Sequence, residues 1–232
     1  MKPALLVAAA LAASAMAQPT PVRIILVGDS TTAPGNGWGP GFCPLMPQVA
    51  CINMAKNGRS TSSYRAEGSW DEVTRELAKP GFEATYVLIQ FGHNDQPGKP
   101  GRSTDLATEF PANLHRYVQE VKATGAKPVL ITPLTRRSFE NGKVVNTLRD
   151  WADAAIKVAD EEHVPLLDLN AESLAAVQKM GPDEADTLAV APQPDPKFDR
   201  THLGPKGAAL FGRMVADELT AAIPALKPYV TQ

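Results

Sequence analysis

Past its first residues, the chain has no apolar run long enough to cross a bilayer. Only two cysteines and four histidines occur in 232 residues. Neither cysteine has a partner at ligand spacing, which argues against a Cys/His metal site. Charge of one sign is also missing: 23 Lys and Arg stand against 25 Asp and Glu, a formal net charge of −2. Broad electrostatic attraction to nucleic acid is therefore excluded as an organising function, and no basic run suggests a polybasic membrane anchor. The sequence has no internal repeat, no low-complexity tract, no G-x-S-x-G elbow and no G-x-G-x-x-G. A Walker sequence and a His-Glu-x-x-His site are missing too, so the commonest nucleotide and zinc-protease signatures do not apply.

What remains is an ordinary soluble composition, 44% hydrophobic and 21% charged, at a length suited to one α/β domain. The start differs from the rest. Lys2 is followed by an Ala/Leu-rich run and then by Ala15-Met16-Ala17, a small-x-small cleavage pattern. Residues 1–17 are expected to be a signal peptide cut before Gln18, leaving 18–232 as a single domain that is secreted or periplasmic. In an exported chain, Cys43 and Cys51 form a small-loop disulfide or remain two buried thiols; the spacing allows both.

Short apolar runs at 22–27, 49–54, 86–90, 128–131 and 164–167 read as buried strands. Between and after them lie helical patterns at 70–79, 109–123, 147–162, 171–180 and 206–222. Alternating strands and helices predict a three-layer α/β/α sandwich with a flavodoxin-like five-stranded parallel sheet, order 2-1-3-4-5. Such sheets bind ligands beyond the carboxyl ends of their strands. Asn141-Gly142 marks a small hairpin, and 182–198, rich in Pro and Asp, reads as a long surface loop.

Four stretches at those strand ends carry chemistry. Gly28-Asp29-Ser30-Thr31 places a serine at a sharp turn off the first strand; the plainer alternatives are a helix cap or a phosphate-cradling loop. Asp199-Arg200-Thr201-His202 puts a carboxylate three residues before an imidazole, able to fix the tautomer of an acyl-transfer base, although the spacing alone is common. Asn57-Gly58-Arg59-Ser60 and Gly92-His93-Asn94-Asp95 offer uncharged donors suited to an oxyanion, and each also reads as a turn. His115 and His163 compete with His202 as bases but lie in a helical pattern and before a strand.

Taken together, the GDS at Ser30, the glycine at Gly58, G-x-N-D at Asn94 and D-x-x-H at Asp199/His202 resemble the SGNH-hydrolase (GDS-type esterase) superfamily. GDST, NGRS, FGHND and DRTHL resemble the rhamnogalacturonan acetylesterases in particular. The resemblance spans nearly all of 18–232. It implies a serine esterase with no metal and no cofactor, acting on acetylated pectin or a related polysaccharide. Ser30 would be the nucleophile, His202 the base and Asp199 its orienting carboxylate. Ser30, Gly58 and Asn94 would form the oxyanion hole, while Asp29 and Asp95 would tie loops. Trp38, Arg59 and His93 are candidate substrate contacts. Tyr64 and Trp70 also lie near the predicted crevice, with core packing the plainer reading for Trp70 and Trp151. Arg65, Arg136 and Arg137, with Arg59, could pair with galacturonate carboxylates or be solvated surface charge. A lipase or thioesterase of the same superfamily, and a secreted carbohydrate-binding protein without turnover, are the rival functions.

Overall fold

The computed structural model describes residues 21–190 and 198–231. The expected signal peptide and residues 191–197 of the expected surface loop lie outside them. The first described element is β1 (Val22–Gly28), whose seven residues are all buried, as a near-continuous apolar strand in a two-sided sheet must be. A short helix α1 (Gly39–Phe42) follows, then β2 (Ala50–Asn53), α2 (Ser63–Ala66), α3 (Ser69–Leu77) and β3 (Ala84–Gln90). Next come α4 (Glu109–Ala123), β4 (Lys127–Ile131), and a two-stranded hairpin of β5 (Phe139–Glu140) and β6 (Lys143–Val144). Helix α5 (Arg149–Glu162), β7 (Leu166–Leu167), α6 (Leu169–Met180), α7 (Pro182–Asp186) and α8 (Pro205–Ala222) complete the fold.

The sheet is fully parallel in order β2-β1-β3-β4-β7. This is the expected order, with the hairpin strands standing outside the main sheet. Asn141 and Gly142 both take positive φ, 50° and 77°, as the tight turn joining β5 to β6 requires. The period-2 alternation of the strands divides the core. Val22, Ile24 and Leu26 of β1 pack with Phe42, Val177, Phe211 and Val215 on one face. Ile25 and Val27 pack with Trp70, Val73, Phe110, Val118 and Val158 on the other. Helices α1, α6 and α8 thus cover one side of the sheet, and α3, α4 and α5 cover the other.

Segment 182–198 departs from the loop expectation at its start: Pro182 at the first helical position opens the short helix α7, whose Ala185 is buried. Cys43 and Cys51 form a disulfide with Cα atoms 5.5 Å apart, linking the turn after α1 to β2. Trp151 is buried as expected, and so is Trp70. Tyr64 is fully buried, its hydroxyl donating to the Met54 carbonyl, so it belongs to the core and not to the crevice.

Helix α1 meets α8 backbone to backbone. A Cβ on Gly41 would lie 2.0 Å from the Ala208 carbonyl oxygen, and one on Gly212 only 2.4 Å from the Gly41 carbonyl carbon. Gly41→Ala is therefore expected to lower stability by about 1–3 kcal/mol, as overpacking does. Gly35→Ala, with nothing within 4 Å of its Cβ, should change it by less than about 0.5 kcal/mol. Urea unfolding of both variants beside the parent checks this; equal midpoints would mean the helix contact yields freely.

Candidate active site

Ser30 sits one residue beyond the buried Asp29, where the chain leaves β1. The turn is held by Asp29, whose Oδ1 accepts from the Thr31 N–H at 2.8 Å and the Thr31 hydroxyl at 2.7 Å. Thr32 and Ala33 N–H groups both donate to the Asp29 carbonyl. A buried line of side chains ties this turn to β3: Trp38 Nε1 donates to Gln90 Oε1 at 2.7 Å, and Gln90 Nε2 donates to Thr31 Oγ1 at 2.5 Å. The nucleophile candidate is thus fixed from below by a buried hydrogen-bonded line from Trp38 through Gln90 and Thr31 to Asp29 Oδ1.

The Asp199–His202 loop approaches from the other end of the chain. Asp199 Oδ1 accepts from the Thr201 and His202 N–H groups, each at 2.9 Å, closing the loop on itself. Its Oδ2 lies 2.7 Å from His202 Nδ1, and His202 Nε2 lies 2.8 Å from Ser30 Oγ. Burial pushes the Asp199 carboxyl up, but the N–H groups of His202 and Thr201 and the imidazole outweigh it and hold it below its ordinary range. An ionised carboxylate only accepts, so Nδ1 carries the imidazole proton and Nε2 is left to accept from the serine hydroxyl. The spacing of Asp and His at i and i+3 therefore works here through a closed turn.

Arg137, just after β4, holds that loop in place. It is fully buried, and its guanidinium donates to the carbonyls of Asp199 at 2.9 Å, His202 at 2.8 Å and Thr201 at 3.3 Å. Its own N–H donates to the Arg200 carbonyl at 2.9 Å. Burial lowers the Arg137 pKa to about 10, which still leaves it charged at neutral pH. The surface-charge reading of Arg137 is corrected accordingly. A planar donor fork suits three converging loop carbonyls. The sequence signal was its place just beyond a strand's carboxyl end; nothing in the apolar pattern marks it.

Gly58, after β2, takes φ +76°, a left-handed conformation that a glycine adopts without strain. Asn94, after β3, is buried, and its Nδ2 donates to the Arg59 carbonyl at 3.1 Å. That bond orients the amide and leaves its second N–H for another acceptor. The two loops are fastened by Asp95, which accepts from the Thr61 N–H and hydroxyl and from the Thr104 hydroxyl. The expected loop-tying role of Asp95 has a physical basis in these bonds.

The expected substrate contacts fare differently. Trp38 is fully buried against Phe42 in an edge-on contact, and its indole N–H is taken by Gln90. It is a core residue, because the chain after Ser30 folds back over it. His93 is 2% exposed and faces Asp29, with Nδ1 3.6 Å from Oδ2, so its ring lies beneath the site and does not form its wall. Burial lowers the His93 pKa against the pull of Asp29. Burial also opposes the Asp29 charge, and His93 with the Thr31 N–H and hydroxyl outweighs it, keeping Asp29 below the usual range. Arg59 remains at the rim, its guanidinium paired with Glu67 at 2.5 Å. His115 is held between Glu161 and Glu162 on the surface, away from the serine.

Asp95 gives a pH test of this arrangement. Burial dominates over its hydrogen bonds and raises its pKa from 3.8 to about 6. The folded state then binds this proton more tightly than the unfolded chain. Its contribution favours folding below about pH 4 and is lost as pH rises through about 6. The stability of the parent relative to Asp95→Asn should fall by about 2 kcal/mol between pH 4 and pH 7. Denaturant titrations of both proteins at unit pH steps measure it; a constant difference would show that Asp95 titrates normally.

Residues 26–210 match the GDSL-like Lipase/Acylhydrolase family. The rhamnogalacturonan acetylesterase RhgT of Bacillus subtilis is 36% identical over 85% of this chain and 89% of its own length. A rhamnogalacturonan acetylesterase of Emericella nidulans is 26% identical over 96% of this chain and 91% of its own. Among solved structures, the Bacillus subtilis protein YxiM superposes with TM-score 0.71 at 28% identity, covering 88% of this chain. The chain spans only 58% of that protein's length. A lipase/acylhydrolase from Enterococcus faecalis, with TM-score 0.59 at 22% identity over 86% of this chain and 95% of its own, shares the fold. An α/β sheet of this order, with GDS closing its first strand and D-x-x-H preceding its last helix, is thereby placed: the chain belongs to the GDSL-like lipase/acylhydrolase family.

Proposed function

We propose that this chain is a carbohydrate O-acetylesterase that removes acetyl groups from rhamnogalacturonan or related pectin outside the cytoplasm. The observation that carries the proposal is the continuous line from Ser30 Oγ through His202 to Asp199, with bonds of 2.8 and 2.7 Å. The names of the relatives from Bacillus subtilis and Emericella nidulans support the substrate class.

On this reading, Ser30 Oγ attacks the acetyl carbonyl carbon while its proton passes to His202 Nε2. The imidazolium formed is stabilised by the Asp199 carboxylate. The carbonyl oxygen, now carrying the negative charge, is received by the N–H groups of Ser30 and Gly58 and by the free amide hydrogen of Asn94. Collapse of the intermediate breaks the ester C–O bond, and His202 returns the proton to the departing sugar oxygen. Water then attacks the acetyl-serine with His202 again accepting a proton, releasing acetate and restoring Ser30.

Ser30→Ala should reduce acetate release from acetylated pectin by more than about 10⁴-fold, and Asn94→Ala by about 10²–10³-fold. Acetate assay with the folded variants checks both; undiminished turnover by Ser30→Ala would end the serine mechanism. A preference for octanoyl over acetyl esters would instead point to a lipase or thioesterase.

Arg137→Lys keeps a charge but replaces a fork that reaches three carbonyls with a single ammonium. The loop carrying Asp199 and His202 should loosen, lowering kcat by about 10²-fold with little change in KM for a small acetyl ester. Steady-state kinetics, alongside circular dichroism to confirm folding, separates this from global unfolding. A KM effect without a kcat effect would contradict the positioning role.

A further inference from the structure

Many cations among the described residues are matched: Lys56 with Glu72, Arg59 with Glu67, Arg65 with Glu120, Lys122 with Glu162 and Arg213 with Asp217 are examples. Three half-buried cations are not. Among the described residues, Lys99, Arg102 and Arg136 have no carboxylate within ion-pair distance, and they gather beside the oxyanion donors. Lys99 Nζ lies 3.5 Å from Asn94 Oδ1, and Arg102 Nη1 donates to the Gly58 carbonyl at 3.3 Å. Arg136 is held by a 2.6 Å bond to Thr147 Oγ1. Burial first, and then the charges of Arg136 and Arg102, depress the Lys99 ammonium.

Like charges brought together out of bulk water repel, and folding does not gather them without a compensating interaction. The nearby buried carboxylates attract Lys99 and Arg136 only from beyond ion-pair distance, and neither pairs with them directly. Asp29 is committed to Thr31 and faces His93, while Asp95 is filled by Thr61 and Thr104. We propose that Lys99, Arg102 and Arg136 form an anion subsite that seats the carboxylate of a hexuronate residue beside the acetyl ester undergoing hydrolysis. The inference rests on the carbohydrate-acetylesterase reading and deepens it: the same polysaccharide supplies ester and carboxylate. Two guanidinium groups offer paired N–H donors matched to a carboxylate, and a mobile ammonium adds a third charge. Arg59, tied up by Glu67, contributes less to this seat.

Calorimetric titration of the full chain tests the subsite without requiring turnover. The probes are a deacetylated oligogalacturonate, its carboxyl-reduced neutral counterpart and a sulfated oligosaccharide of equal length. The oligogalacturonate is expected to bind at least about 10-fold more tightly than the neutral chain at low salt, with the difference shrinking as salt is raised. Lys99→Gln, Arg102→Gln and Arg136→Gln, singly and combined, should reduce that preference, and the triple variant should abolish it. Equal binding of charged and neutral chains, a preference that survives in the triple variant, or equally tight binding of the sulfated chain would each overturn the proposal. Acetate release by the parent is assayed separately. A carboxylate preference without acetate release supports the subsite and overturns the acetylesterase reading, whereas release without the preference does the reverse.

Discussion

A 2.8 Å hydrogen bond joins Ser30 to His202 across 172 residues of chain, and the arrangement of the whole molecule bears on its length. Both ends must be fixed for a serine hydroxyl to face an imidazole nitrogen. On the serine side the parallel sheet does this: β1 pairs with β2 and β3 on its two flanks, so its carboxyl end has little freedom. On the histidine side, among the described residues, only the isolated bridge of Leu203 with Ala189 adjoins the loop. The loop is fixed instead by the Asp199 carboxylate folding back on its own N–H groups and by Arg137 gathering three of its carbonyls. Leu203, next to His202, donates its N–H to the Asn36 carbonyl at 2.8 Å and so binds the loop directly to the segment after Ser30.

The polar interior of the site is expensive in stability, and each buried charge has a positional purpose. Asp29, Asp95 and Arg137 are withdrawn from water yet serve as acceptors or donors to backbone groups that a loop leaves unpaired. Asp29 and Asp95 respond in opposite senses: Asp29 is held ionised by its partners, whereas burial wins at Asp95. The difference separates two tasks. Asp29 shapes the turn that presents Ser30, and Asp95 binds the Gly58 loop to the Asn94 loop through Thr61 and Thr104.

Much of this was legible in the sequence because it depends on local rules. Buried parallel strands announce themselves as apolar runs, and 22–27 and 128–131 fall within β1 and β4. Asn141-Gly142 marked the hairpin because few other pairs accept consecutive positive φ. Ser30, Gly58, Asn94 and the Asp199/His202 pair lay where strands or loops end, which is where such sheets collect ligands. The failures share a different physics. Trp38 and His93 stand beside these motifs in the chain yet turn inward, and a direction of that kind is set by the packing of β3 and α1 around them. The pairing of Cys43 with Cys51 required the turn after α1 to return alongside β2, a tertiary fact that spacing leaves open.

Arg136 and Arg137 show why neighbouring letters of the same kind carry no common meaning. One guanidinium turns into the protein and meets only carbonyl oxygens; the other rests on Thr147 near Lys99 and stays partly in water. The buried arginine finds three carbonyl acceptors within the chain, although its Nε is left without a partner and burial still lowers its pKa, so its charge is spent on geometry. The partly exposed one hydrogen-bonds a single neutral hydroxyl, and in the proposed subsite its field, offset in part by Asp29, would act beside Asn94. A positive field there has a consequence for the chemistry as well as for recognition. On the proposed mechanism the tetrahedral oxyanion would develop its charge next to Gly58 and Asn94, so the same cations proposed to face an incoming anion would also lower the electrostatic cost of that developing charge.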